Sequence, residues 1–286
     1  MILLTGAAGK TGRAVLKALA ARGQKVRVFL RSEEQVRELE RQGAEEAVIG
    51  DLTDPAGLRK AVQGVRAVYH ICPNMHPEEI EIGRLAIDIA REYKLGHFVY
   101  HSVLHPQTEK MPHHWKKMRV EEMIFESGLN FTILQPAPYM QNILAAREAI
   151  VREGFYRVPY PPQTALSLVD LVDLGEAAAV VLTEAGHKNA VYEIVGIEAI
   201  TQHETASIIG DVLGCKVKAE EINLDHWRSR SLKNGLQPYE LDTLEKMFLY
   251  YSLYGLSGSP FVLGRLLGRS PGSLAQFAGR EFVYNL

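Results

Sequence analysis

The chain opens on Ile2-Leu3-Leu4-Thr5-Gly6-Ala7-Ala8-Gly9-Lys10-Thr11-Gly12, an apolar strand that runs straight into a glycine-rich turn. Residues 13–22 follow with good helix formers and apolar side chains at helical spacing. Strand, glycine turn and helix N-terminus bring free backbone N–H groups and the positive end of the helix dipole to one point, which suits an anion. Standing at the head of a repeating strand–helix pattern, this turn is read as the seat of a dinucleotide pyrophosphate, with Gly6, Ala8, Gly9, Lys10, Thr11 and Gly12 as contacts.

Two rival readings are weaker. Gly9-Lys10-Thr11 imitates the end of a nucleoside-triphosphate loop, but that motif needs a glycine five positions before Gly9, where Leu4 stands inside the strand. A plain strand–helix turn uses one glycine for positive φ. It does not account for three, spaced by three and three.

Strands at 26–30, 47–49, 67–71, 98–102 and 131–134 alternate with helices at 33–42, 54–62, 78–93 and 114–127. The strands are short apolar runs without clean alternation, as a parallel sheet covered on both faces requires. The fold class is therefore α/β, a Rossmann-type doubly wound parallel sheet with a smaller C-terminal lobe. After residue 135 the rhythm loosens. Ala137-Pro138 and Tyr160-Pro161-Pro162 break the chain, 167–182 reads as a strand end entering a buried helix, and 191–195 as another strand. Thr201 with Glu204 forms a capping-box pattern, and 224–277 is mainly helical and rich in Tyr, Leu and Phe. The expected division is 1–150 for dinucleotide binding and 151–286 for a substrate or partner lobe, with 165–196 packing back on the first.

A net charge of −2 without a Lys/Arg-rich arm gives bulk electrostatic binding of nucleic acid no support. No apolar run approaches the about 20 residues of a membrane helix, and the first strand stands where a signal peptide would. Cys72 and Cys215 are the two thiols, too few and too far apart for a disulfide scaffold. The reading is a cytoplasmic protein, with a homodimer among the assemblies it allows. His101 and His105 straddle a strand end and Pro106 and have no carboxylate or cysteine beside them, so no metal is expected.

The tip of the second strand selects between the nicotinamide dinucleotides. A carboxylate there would accept from ribose hydroxyls, whereas a basic residue pairs with a 2′-phosphate. Arg31-Ser32 stands at that tip, nineteen residues after Gly12, so NADP(H) is the expected cofactor. Asp51 is positioned to accept from the adenine amino group while Leu52 covers the ring, and Ile71-Cys72-Pro73 ends the fourth strand beside the adenosine ribose.

These residues carry a resemblance. Gly6 to Gly12, Leu30-Arg31, Gly50-Asp51-Leu52, Lys117-Met118-Arg119-Val120-Glu121-Glu122, Gln135-Pro136-Ala137-Pro138-Tyr139-Met140-Gln141-Asn142 and Leu267-Gly268-Arg269-Ser270-Pro271 resemble the NmrA-like group of atypical short-chain dehydrogenases/reductases. That group includes NADPH-dependent quinone reductases, triphenylmethane-dye reductases and redox-sensing regulators. The resemblance implies a bilobed fold with an active cleft between sheet edge and second lobe. The main short-chain dehydrogenase chemistry needs a Tyr four residues before a Lys on one helix face. Lys117 stands in the lysine position, but His113 stands where the tyrosine would be. Lys117 then holds the nicotinamide ribose, and His113 is the candidate proton donor at neutral pH. Pro136 and Tyr139, after the sixth strand, approach the nicotinamide, with Tyr139 and Met140 towards a flat apolar acceptor. Two functions are expected from this: hydride transfer from NADP(H) to a quinone-like or conjugated acceptor, or NADP(H) sensing by a regulator that binds a protein partner. A sugar-nucleotide epimerase is disfavoured by the missing tyrosine.

Overall fold

A computed structural model describes residues 1–283, which form two compact units. The first unit comprises Met1–Thr108, His113–Pro136 and Leu171–Glu193. Its elements in chain order are β1 (Ile2–Leu4), α1 (Lys10–Ala21), β2 (Val26–Leu30), α2 (Val36–Arg41), β3 (Glu46–Ile49), α3 (Pro55–Val62), β4 (Ala67–His70), α4 (Glu79–Glu92), β5 (His97–His101), α5 (Pro112–Glu126) and β6 (Phe131–Pro136). The strand order is β3-β2-β1-β4-β5-β6, with parallel pairing at every one of those steps. This order reverses direction between β1 and β4, which is where doubly wound sheets open a crevice for ligands beyond the strand ends. Rossmann-type topology is thus realised strand by strand.

The register explains why the strands lack alternation. Ile2 pairs with Val26 on one side and Ala67 on the other, and β1, β4 and β5 are buried throughout. Both faces are covered by helices, so apolar residues fill successive positions. Asp54 caps α3 through the Ala56 and Gly57 amides, ahead of Pro55 at the first helical position. The helix α4 packs so closely on α5 that a Cβ added at Gly83 would lie 2.7 Å from Val120 side-chain atoms. The chain later returns to this unit as α7 (Leu171–Thr183), almost wholly buried, whose Gly175 backs onto the Ala14 carbonyl of α1.

The second unit contains Glu109–Pro112, Ala137–Asp170 and the chain from Ile194 onward. Its elements are α6 (Arg147–Glu153), β7 (Phe155–Val158) and β8 (Ala165–Leu168), then, after α7 and β9 (Ala190–Ile194), β10 (Ile197–Thr201), α8 (Gln202–Leu213), β11 (Lys218–Glu221), α9 (Leu224–Lys233), α10 (Pro238–Tyr254), α11 (Phe261–Leu267) and α12 (Leu274–Ala278). The strand β9 joins the large sheet beside β6. Antiparallel β8–β10 and parallel β7–β11 form two small sheets. The Thr201–Glu204 capping box starts α8 as its sequence pattern requires. Tyr160, Trp227, Phe248 and Tyr251 form an aromatic cluster, and a cavity of about 310 Å³ is lined by Pro161, Thr164, Tyr251, Tyr254 and Leu256. No helix among the described residues is long and apolar enough to cross a membrane.

Candidate functional site

The turn after β1 is built from backbone. Gly6 sits at φ +61°, and a Cβ there would lie 2.9 Å from the Ile71 Cβ. A Cβ at Gly12 would come within 2.3 Å of the Gly6 carbonyl and 2.6 Å of the Ala7 Cα. Only glycine lets the first turn of α1 approach this closely. Gly9 caps α1 without any side-chain hydrogen bond, and no acidic residue stands in the first helical turn. The amide end of the helix is thus presented with a positive field and no internal carboxylate to neutralise it. Lys10 is exposed, Thr11 is buried, and the Arg13 Nε donates to the Ala8 carbonyl at 2.9 Å while its guanidinium pairs with Glu38. The Thr5 hydroxyl ties the turn to the end of β4, accepting from the Ile71 amide at 2.8 Å and donating to the Ile71 carbonyl at 3.0 Å.

At the tip of β2, Arg31 is exposed and acts electrostatically on Asp51, so these two predicted contacts are neighbours. Hydrogen bonds from the Thr53 hydroxyl and amide, with the charges of Arg31 and His76, hold the Asp51 carboxyl below the usual carboxylate range. Asp51 is thereby engaged in a local Asx turn. Leu52 is buried in a cluster that includes Phe29 and Leu58.

The ends of β4 and β5 hold a buried polar interior that side chains build. Lys117 is 7% exposed, and its Nζ donates to Glu79 Oε1 at 3.0 Å and to the His101 carbonyl at 3.3 Å, 5.4 Å from the centre of the Tyr100 ring. The Tyr100 hydroxyl donates to the same Glu79 oxygen at 2.8 Å, and the Cys72 thiol lies within hydrogen-bonding reach of Glu79. Burial pushes the Glu79 carboxyl up, but the Lys117 charge and the bonds from Lys117 and Tyr100 outweigh it, leaving the pKa below the ordinary value. Burial, followed by the Glu79 charge, raises the Cys72 thiol and the Tyr100 phenol, so both stay protonated at neutral pH. Beside this group Glu121 accepts from Gln135 Nε2 at 3.0 and 2.9 Å and from the Ser102 hydroxyl; here burial wins and the carboxyl is raised.

His113 stands one turn before Lys117, edge-on to the His114 ring, and its Nδ1 is buried without a partner. Burial, then the His114 and Lys117 charges, pushes its imidazole well below the ordinary value. This favours the neutral ring at pH 7. His70, His101 and His114 are lowered to about 4, about 3 and about 4, each chiefly by burial. His101 Nδ1 is 2.9 Å from the Tyr69 hydroxyl, while His105 approaches Glu193 at 4.0 Å, so the two histidines serve different partners.

Gly6 lies against Ile71, Glu79 acts electrostatically on Cys72, and Lys117 bonds to Glu79, which brings these residues together at the switch point. Pro73 follows Cys72 in partial exposure, and the Pro136 carbonyl accepts from Leu104 at 2.8 Å. Tyr139 bridges Val169 within the second unit. Glu79 and Tyr100 are the participants that the sequence reading missed. A signal for Glu79 exists: the buried face of α4 runs Glu79, Ile82, Gly83, Ala86 at i, i+3, i+4, i+7. A carboxylate on that face demands a buried cation.

Comparison with known proteins completes the picture. An NAD(P)H azoreductase of Xenophilus azovorans is 26% identical over 280 residues, covering 97% of this chain and 96% of the relative. A (4-alkanoyl-5-oxo-2,5-dihydrofuran-3-yl)methyl phosphate reductase of Streptomyces griseus is 32% identical over 232 residues, 80% of this chain and 79% of its own. The structure of an NADPH-dependent quinone oxidoreductase of Escherichia coli, complexed with NADPH, superposes with a TM-score of 0.85 at 26% identity over 99% of this chain and 100% of the other. The pattern of the NmrA-like family matches residues 1–258. The chain belongs to the NmrA-like family.

Proposed function

We propose that this protein is an NADP(H)-dependent oxidoreductase that reduces a flat, conjugated acceptor of the quinone type. The observation that carries the reading is the meeting of the uncapped glycine turn with Ile71, Cys72, Glu79 and Lys117 at the switch point. The residues fit a dinucleotide: a Cβ-free cradle and an open helix N-terminus for pyrophosphate, Arg31 for a 2′-phosphate, and a fixed ammonium for the nicotinamide ribose. Asp51 and Pro73 flank the adenosine portion, and Pro136 closes the nicotinamide end. Bound there, the dinucleotide supplies a hydride.

The rest of the chemistry falls to the chain's own groups. Glu79 offsets the charge of Lys117, so Lys117 orients rather than acidifies a neighbour. His113, neutral and with an unpartnered Nδ1, offers a hydrogen bond to the acceptor in place of a proton. A quinone tolerates this arrangement because its reduced anion is delocalised and draws its proton from water. The residues from 151 onward supply the acceptor lobe, and the free thiols Cys72 and Cys215 favour the reducing cytoplasm. A non-catalytic NADP(H) sensor that docks on a protein partner is the second reading, favoured by His113 standing where the general-acid tyrosine would be.

The test is NADPH oxidation against quinones, enones and cationic dyes, with Lys117→Ala alongside. Turnover that collapses in the variant is the expected result. Tight NADPH binding without turnover of any acceptor overturns the reductase in favour of the sensor.

A further inference from the structure

We propose that Glu79 is the positioning residue of this site: it holds the Lys117 ammonium in place for the dinucleotide, and Tyr100 in turn holds Glu79. The inference rests on the NADP(H) reading above and names a residue that reading does not require. Glu79 is 3% exposed and stands at the N-terminus of α4, where the helix field favours a negative charge. Two donors from two segments converge on its carboxylate, Lys117 Nζ at 3.0 Å and the Tyr100 hydroxyl at 2.8 Å. A lysine has a flexible four-carbon stem, and a carboxylate fixed from several sides removes that freedom.

The surroundings make Glu79 the decisive counter-charge. His70 on β4, His101 on β5, and His113 and His114 on α5 face the pair as neutral rings, each lowered chiefly by burial. Tyr100 and Cys72 are protonated, and Glu121, the other carboxylate nearby, is raised by burial and occupied by Ser102 and Gln135. Without Glu79 the buried ammonium would lose the carboxylate it donates to, and burial favours the uncharged amine. The pair thus keeps Lys117 charged as well as placed.

The experiment is fluorescence titration of NADPH from about pH 6 to about pH 9 into wild type, Glu79→Gln, Glu79→Asp, Lys117→Met and Glu79→Gln/Lys117→Met. Glu79→Gln is expected to weaken NADPH about tenfold, with the loss growing as pH rises, while Glu79→Asp restores part of the affinity. Lys117→Met gives weak binding with no such pH dependence, and adding Glu79→Gln changes it no further. Tyr100→Phe, which removes one donor and leaves the ring, repeats the effect in reduced form and carries the test should Glu79→Gln fail to fold. Wild-type affinity and pH profile in Glu79→Gln, or losses that simply add in the double variant, overturn the proposal while the NADP(H) reading stands. A wild-type protein that binds no NADPH overturns both.

Discussion

The turn after β1 and the interior beyond β4 and β5 make a ligand site from opposite materials. The turn is backbone: glycines remove Cβ atoms, an open helix end supplies N–H groups, and no side chain caps it. The interior is side chain: Glu79, Tyr100, His101, His113, Lys117 and Glu121 are each nine-tenths or more buried, and most are tied to one another. The first draws its positive potential from backbone N–H groups as well as from Lys10. The second depends on charges that stay matched inside the protein, where an unmatched one is costly. Its two carboxylates differ: Glu79 is lowered because the Lys117 charge and its hydrogen bonds outweigh burial, whereas at Glu121 burial outweighs the Ser102 and Gln135 hydrogen bonds and the Lys117 charge.

Acid should separate the two regions most. His70, His101 and His114 are lowered to about 4, about 3 and about 4, so between roughly pH 6.5 and those values the unfolded chain binds protons that the native one does not. Stability then falls as pH falls, by up to about 1.4 kcal/mol per pH unit for each histidine. Urea unfolding at about pH 7 and about pH 5 checks this; equal midpoints would mean the imidazoles are not held neutral. Glu79 adds a second loss with the same sign at lower pH, because its depressed pKa gives stability above the ordinary carboxylate value that disappears on protonation.

The ion pair itself comes next. Glu79→Leu leaves Lys117 buried without its carboxylate and should cost about 3–5 kcal/mol, whereas Glu79→Leu/Lys117→Met should recover most of that. Denaturant midpoints of the single and double variants decide it, and additive losses would show the two residues acting separately. In the turn, Gly12→Ala places a Cβ against rigid backbone, 2.3 Å from the Gly6 carbonyl. The expected cost is about 1–3 kcal/mol of stability, with NADPH affinity falling by about a hundredfold because the helix end must move; calorimetric titration reads it. The smallest effect lies outside both regions. Arg31→Asp should shift the ratio of NADPH to NADH affinity by roughly tenfold towards NADH, measured by parallel titrations. An unchanged ratio would place the 2′-phosphate elsewhere.

The glycine turn was legible because each of its requirements is local. Positive φ at Gly6 and close approach at Gly12 are satisfied by residues within six positions, and the spacing alone announces them. The sheet was legible for a similar reason: β2 and α3 begin and end as their patterns predict, over Val26–Leu30 and Pro55–Val62. β7 and β11 were not, because Lys218-Ala219-Glu220-Glu221 carries no apolar pattern and becomes a strand only by pairing with Phe155–Val158. In α4, the helix buries Glu79 alongside Ile82 and Ala86 while Ile80 and Leu85 stay half-buried, so apolar character alone does not mark its inner face. In α5 the buried stripe His113, Lys117, Val120, Glu121, Ile124 is largely polar, so hydrophobic periodicity is a poor guide to it.

The sequence by itself determined the α/β alternation, the dinucleotide turn, the basic residue at the β2 tip and a lysine without its tyrosine. Those are statements about neighbours along the chain, where backbone preference and side-chain period act over a few residues. Only the tertiary structure decided that Lys117 meets Glu79, that Tyr100 donates to the same carboxylate, and that His113 is buried. Those facts join residues 79, 100, 113 and 117 from α4, β5 and α5. Charge pairing and desolvation depend on distance in space, and that distance exists only once the helices have packed on the sheet.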